Sequence, residues 1–141
     1  MGMDQYLRAK TSKREYQGAT GACNGLFGIA PADNGMVEIG YWRKAYDQND
    51  LIADVARSQA VDDSGHILIT KEDVEEILEK AKEILDTHTF DDEGYDITPD
   101  YEGWGTWDSK SKWENTIKFF EEAKKIYEED PKAEIYYCIW C

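Results

Sequence analysis

The sequence predicts an α+β fold: a small antiparallel sheet of about four strands with about three helices packed mainly on one face. Three observations carry this expectation. Two long segments repeat their apolar residues with the helical period, and four short ones alternate or concentrate β-branched and aromatic residues. The segments follow one another as strand, strand, helix, strand, helix, helix, strand. At 141 residues the chain makes a single domain, 1–141, long enough to bury a core without staples.

Gln5–Ala9 alternates weakly and reads as the first strand, running into the basic stretch from Lys10 to Arg14. Residues 17–35 hold Gly18, Gly21, Gly25, Gly28 and Gly35 with Pro31 and Asn34, which predicts a long loop. Those glycines lack the Lys-Ser/Thr ending of a phosphate loop and the strand–glycine–helix setting of a dinucleotide site. Val37–Tyr41 reads as the second strand, and a helix is expected from Trp42 or Arg43 to about Ala60. Its apolar positions Ala45, Ile52, Val55 and Ala56 are sparse, so this helix is expected to be partly exposed. Asp62-Asp63-Ser64-Gly65 signals a turn before a third strand at His66–Ile69.

Thr70 is placed to cap the next helix, with Glu72 and Asp73 complementing its dipole. Val74, Ile77, Leu78, Ala81, Ile84 and Leu85 form its core stripe. Residues 87–108 follow as an acidic, aromatic loop. The last helix is expected at about Ser109–Glu129, burying Trp113, Ile117, Phe120, Ala123 and Tyr127, and Asp130-Pro131 stops it. Ala133–Trp140 reads as the final strand, with Ile135, Tyr137 and Ile139 on one face.

The formal net charge is −14, from 16 basic and 30 acidic residues. The first 44 residues carry a small positive excess, through Arg8, Lys10, Lys13, Arg14, Arg43 and Lys44 against Asp4, Glu15, Asp33 and Glu38. The rest of the chain is strongly acidic. Residues 87–108 hold Asp91, Asp92, Glu93, Asp96, Asp100, Glu102 and Asp108 and no Lys or Arg. A body of this sign repels phosphate, which argues against direct nucleic-acid binding and against anionic membranes. It attracts basic surfaces instead. No apolar run suffices for a membrane span or a signal peptide, so a cytoplasmic protein is expected.

Cys23, Cys138 and Cys141 form no disulfide framework, in keeping with a reducing compartment. The Cys138–Cys141 spacing is that of a redox pair, but no helix follows to lower a thiol pKa. With Cys23, His66 and His88 scattered along the chain, no metal and no cofactor is expected. His66, near Asp62 and Asp63, has the surroundings of an acid or base, but a lone turn histidine is more often a surface hydrogen-bonding group. His88 has no evident partner in the sequence. No nucleophile arrangement can be assembled, and the chain reads as a binding protein rather than an enzyme.

Two segments qualify as binding sites. Tyr41-Trp42-Arg43-Lys44, with Arg8, has the rings and cations to hold a nucleotide or another small anion; at a strand–helix junction the physically favoured reading is that one ring seals the core and the cations are solvated. The second segment is the acidic loop. Asp91, Glu93 and Glu102 fit positions of a calcium loop, but Gly94 and Pro99 break the pattern. Tyr95, Tyr101, Trp104 and Trp107 lie among Asp91, Asp92, Glu93 and Asp96, a mixture of anchors and charge suited to docking on a basic protein surface.

The stretch Val37 to Ala45 resembles the Tyr-Trp-Arg-Lys element of a family of small, mostly uncharacterised bacteriophage and prophage proteins. The Met1-Gly2-Met3-Asp4-Gln5-Tyr6-Leu7 opening, the Asp62–His66 turn with its following helix, and the Tyr136–Cys141 ending are similar to that family as well. The resemblance implies a phage setting and a host protein as partner, with host takeover or inhibition of a defence system as the role. It brings no catalytic residues. Family members carry an Ile-His pair where this chain has Asp50-Leu51, so a proton-transfer role for that helix is not implied here.

Overall fold

The computed structural model describes residues 3–11, 36–56 and 66–139. The glycine-rich segment 17–35, the Asp62–Gly65 turn, Cys23, Trp140 and Cys141 lie outside the described residues. Among those described, four strands and three helices alternate in the expected order: β1 (Asp4–Lys10), β2 (Met36–Arg43), α1 (Tyr46–Ala56), β3 (Ile67–Ile69), α2 (Lys71–Thr87), α3 (Ser109–Glu129) and β4 (Glu134–Ile139). The strands form one sheet in the order β2-β1-β4-β3, and every neighbouring pair is antiparallel. The fold is α+β, as expected.

The central strand β1 pairs Gln5 with Trp42 and Leu7 with Gly40 on one side, and Leu7 with Tyr137 and Ala9 with Ile135 on the other. These side chains share a face of the sheet, because alternate residues of a strand point the same way. Leu7, Ala9, Trp42, Ile69, Ile135 and Tyr137 pack there against Ile52 of α1, Val74, Ile77 and Leu78 of α2, and Phe120, Ala123 and Ile126 of α3. The opposite face gathers Tyr6, Cys138 and Tyr41. Arg8 lies on that face too, its guanidinium 4.8 Å from the centre of the Tyr6 ring.

The register of β1 against β2 shifts between Leu7 and Arg8. An extra residue in one strand bends it locally, as a β-bulge does. Next to the bulge, Gly40 faces Phe119 of α3 so closely that a Cβ there would sit 2.6 Å from the ring. Glycine at this position admits the ring to the sheet.

Helix α1 starts at Tyr46, not at Trp42 or Arg43. Strand β2 continues through Arg43, which pairs with Asp4, and Lys44 then takes φ 55°, donating its N–H to the Met3 carbonyl at 2.7 Å. Sheet pairing overrides the local signal for a helix. Gln5 fixes the junction: its Nε2 donates to Ala45 O (3.1 Å) and its Oε1 accepts from Ala45 N (2.9 Å). Tyr137 completes the link, accepting from Gln5 Nε2 at 2.9 Å and donating to Asn49 Oδ1 at 2.6 Å. This satisfied polar network is how a helix with few apolar residues is held on the sheet.

Helix α2 carries the capping box foreseen at Thr70, which accepts from Asp73 N while Asp73 accepts from Thr70 N. In α3, Trp113, Phe120, Ala123 and Ile126 are buried, with Ile117 and Tyr127 half-buried at the rim. No helix of the described residues is long and apolar enough to cross a membrane.

Candidate functional site

The acidic loop 87–108 is an ordered hairpin-like structure. The N–H of His88 caps α2 by donating to Ile84 O, and Phe90 pairs with Asp96 in an isolated antiparallel bridge. At the turn, Asp91 Oδ1 accepts from the N–H groups of Glu93 and Tyr95, both at 2.9 Å. Gly94 takes φ 89° against the Asp108 backbone, a conformation a side chain rarely adopts. Its carbonyl accepts from Lys110 N at 3.0 Å, so the turn itself caps the start of α3. Asp108 provides no side-chain cap and pairs instead with Lys112 at 3.0 Å.

His88 has a partner that its sequence neighbourhood does not reveal. Its Nδ1 lies 2.6 Å from Asp96 Oδ2, and the Asp96 carboxylate has no exposed surface. Burial works against ionisation of Asp96, but hydrogen bonds from Thr98 and His88, with the charge on His88, outweigh it and hold the carboxyl below its ordinary pKa. The edge of the His88 ring meets Tyr101 at 4.7 Å. The pair is an internal brace of the loop.

Beyond this brace the loop turns onto α1. Burial first, then the hydrogen bond and charge of Asp47, push the Tyr101 hydroxyl well above its ordinary pKa; Asp96 and Asp50 add to the effect. Trp104 donates its backbone N–H to Asp47 Oδ1 at 2.8 Å, and its ring lies 5.2 Å from that of Tyr46. Trp104 is nevertheless 67% exposed, Trp107 62% and Ile97 54%. The structure thus divides the predicted anchors. Tyr95 and Tyr101 are half-buried within the loop, and Trp104 and Trp107 face outward. The carboxylates divide likewise: Asp91 and Asp96 hold the loop together through hydrogen bonds, whereas Asp92, Glu93, Asp100 and Glu102 are exposed.

Beside the turn, Phe90, Asp91–Gly94, Asp108, Lys110, Ser111 and Glu114 line a shallow cleft of about 450 Å³. No group of three or more His, Cys, Asp or Glu among the described residues could hold a metal ion. A more apolar groove of about 590 Å³ lies where β3, the start of α2 and the end of α3 meet, lined by Leu68, Tyr127 and Ala133 among others. None of the candidate binding residues named from the sequence lines it.

The Tyr41–Lys44 element is split by the sheet. Trp42 is buried in the core, its Nε1 donating to Thr116 Oγ1 at 2.9 Å and its ring edge-on to Phe119. It has no free face on which a nucleotide could stack: of the two readings of this residue its burial supports the core seal, and Trp42 is removed from the alternative cradle. Tyr41 and Arg43 lie on the opposite face with Arg8. The Tyr41 hydroxyl donates to Asp4 Oδ1 at 2.7 Å, and Arg43 approaches the same carboxylate at 3.9 Å. Arg8 is buried, while Arg43 and Lys44 are exposed.

Sequence reasoning missed Tyr46, Asp47 and the His88–Asp96 pair. Even His88 and Asp96, eight residues apart, carried no signal that singles Asp96 out from the other carboxylates of the loop. Asp47 meets Trp104 across 57 residues of chain. No family model matches the chain, and no curated protein or solved structure matches it.

Proposed function

We propose that this is a small acidic accessory protein that acts by non-covalent docking on a basic surface of another protein, without catalysing a reaction. The observation that carries this reading is the exposure of Trp104 and Trp107, at 67% and 62%, on a braced loop rich in carboxylates. Large exposed rings on an ordered scaffold are the kind of anchor that concentrates binding energy at low entropic cost. The surrounding Asp92, Glu93, Asp100 and Glu102 steer a basic partner into place. The resemblance to phage proteins supplies a setting, in which the partner is a host protein and the outcome is takeover or inhibition of a defence factor.

The test is capture from bacterial lysate on the immobilised protein at low and high salt. A parallel capture uses a variant carrying Asp92→Asn, Glu93→Gln, Asp100→Asn and Glu102→Gln, which spares the structural Asp91 and Asp96. One partner, retained at low salt and lost with the variant, is the expected result. Capture that ignores both salt and the substitutions rules the docking reading out.

A second reading, binding of a small anion by Arg8, Tyr41, Arg43 and Lys44, retains support from the exposed cations Arg43 and Lys44. A thermal-shift panel of mono-, di- and cyclic nucleotides checks it, because a ligand of the native state raises its apparent stability. No stabilisation across the panel removes it.

A further inference from the structure

We propose that the Tyr46–Trp104 pair is a receptor for a guanidinium group, so that the partner anchors itself through an arginine side chain. This rests on the docking reading and specifies the chemistry at its centre. The two rings come from different elements, the first turn of α1 and the far limb of the acidic loop, and meet at 5.2 Å with a tilt of 36°. The hydrogen bond from the Trp104 backbone N–H to Asp47 Oδ1 ties the loop to α1 next to Tyr46, so the ring pair is held without a partner. Trp104 keeps most of its surface in solvent. An exposed indole held in place by a buried carboxylate contributes nothing evident to the core.

The electrostatic setting selects the occupant. Asp47 and Asp50 lie on the same helix as Tyr46, Asp50 one turn further on, and Asp47 bonds the Trp104 backbone itself, so carboxylates stand beside the platform. On the loop, Asp100 and Glu102 are exposed near Trp104 in sequence. Of the flanking cations, Lys112 is engaged by Asp108 at 3.0 Å, and Lys44 stands before α1. A cation over an indole face is attracted by the ring quadrupole, more strongly as water is excluded. Arginine fits better than lysine: its planar guanidinium stacks on the ring and still directs N–H donors sideways to a carboxylate, whereas an ammonium is a compact, strongly hydrated point charge. A neutral apolar occupant would satisfy the rings and leave the carboxylates without a counter-charge.

The experiment uses the full chain and three short peptides, identical and lysine-rich except for a central arginine, lysine or citrulline. Citrulline keeps the shape of arginine and removes its charge. Binding is followed by tryptophan fluorescence and by the indole N–H resonances, assigned with Trp104→Leu and Trp107→Leu. The arginine peptide is expected to bind about tenfold more tightly than the citrulline peptide and to move the Trp104 resonance. Trp104→Leu should abolish that preference without altering the circular dichroism, and Trp107→Leu should leave it in place. Equal binding of the arginine and citrulline peptides overturns the proposal, as does an arginine preference that survives Trp104→Leu. If all three bind equally, and weaken with salt and in the neutralised-loop variant, the docking reading stands and the arginine receptor fails. If none binds saturably, both fail.

Discussion

At the scale of single residues, Gly40 and Asp96 show how local chemistry sets the shape around the site. Gly40 is required by proximity: its absent Cβ is where the Phe119 ring sits, at 2.6 Å. Gly40→Ala should destabilise the chain by about 1–3 kcal/mol through overpacking. Phe119→Leu in the same chain should recover much of that loss, and denaturant unfolding of the single and double variants measures the coupling. Independent, additive effects would show that the two do not share the space. Asp96 sets an acid limit. Its pKa is lowered in the folded loop, so the stability it contributes is present above the unfolded value near 3.8 and is lost as pH falls through the lower folded value. The loop should therefore stay protected at neutral pH and open only as pH falls below the ordinary carboxylate range, read from the Trp104 and Trp107 resonances. Asp96→Asn should open it at neutral pH; protection unchanged in that variant would remove Asp96 from the brace.

At the scale of elements, the capping box of α2 and the polar attachment of α1 are different solutions to one problem. Helix α2 has a complete apolar stripe and needs only its first N–H groups satisfied, which Thr70 and Asp73 do. Thr70→Ala should cost about 1 kcal/mol, a fall in Tm of roughly 3–5 °C for a chain of this size, with docking unaffected. Helix α1 buries Asp47 and Gln48 as well as Ile52 and Ala56, and depends on the Gln5–Tyr137–Asn49 hydrogen bonds. Tyr137→Phe removes the hydroxyl that joins Gln5 to Asn49 and should cost about 1–3 kcal/mol. Because Asp47 on this helix also holds Trp104, the same variant should broaden the Trp104 resonance. An unbroadened signal would mean that the loop does not depend on how α1 is seated.

At the scale of the whole molecule, the proposed docking assigns two separate roles: a net charge of −14 would steer the approach of a basic partner, and the exposed rings would slow its departure. Neutralising Asp92, Glu93, Asp100 and Glu102 should slow association and flatten its salt dependence, with dissociation changed little. Trp104→Ala should do the reverse, speeding dissociation with the salt slope intact. Surface plasmon resonance against a captured partner, or against the arginine peptide, separates the two rates. A Trp104→Ala variant that changes only the association rate would show that the ring is not an anchor.

Much of the architecture was legible in the sequence because it rests on short-range rules. The periodicity of Val74 to Ala81, the cap at Thr70, the stop at Asp130-Pro131 and the alternation of Ile135, Tyr137 and Ile139 are properties of neighbouring residues. The sequence also determined the sign and place of the charge. Tertiary structure decided what depends on distant partners. It carried β2 on to Arg43 because Asp4 lies opposite, and so buried Trp42 between sheet and α3. It also sorted the aromatic residues of the acidic loop, drawing Tyr101 toward Asp47 and His88 and leaving Trp104 and Trp107 outside. Composition treats Tyr101, Trp104 and Trp107 alike; only the packing of the folded loop, which meets α1 across 57 residues of chain, sets how far each is exposed.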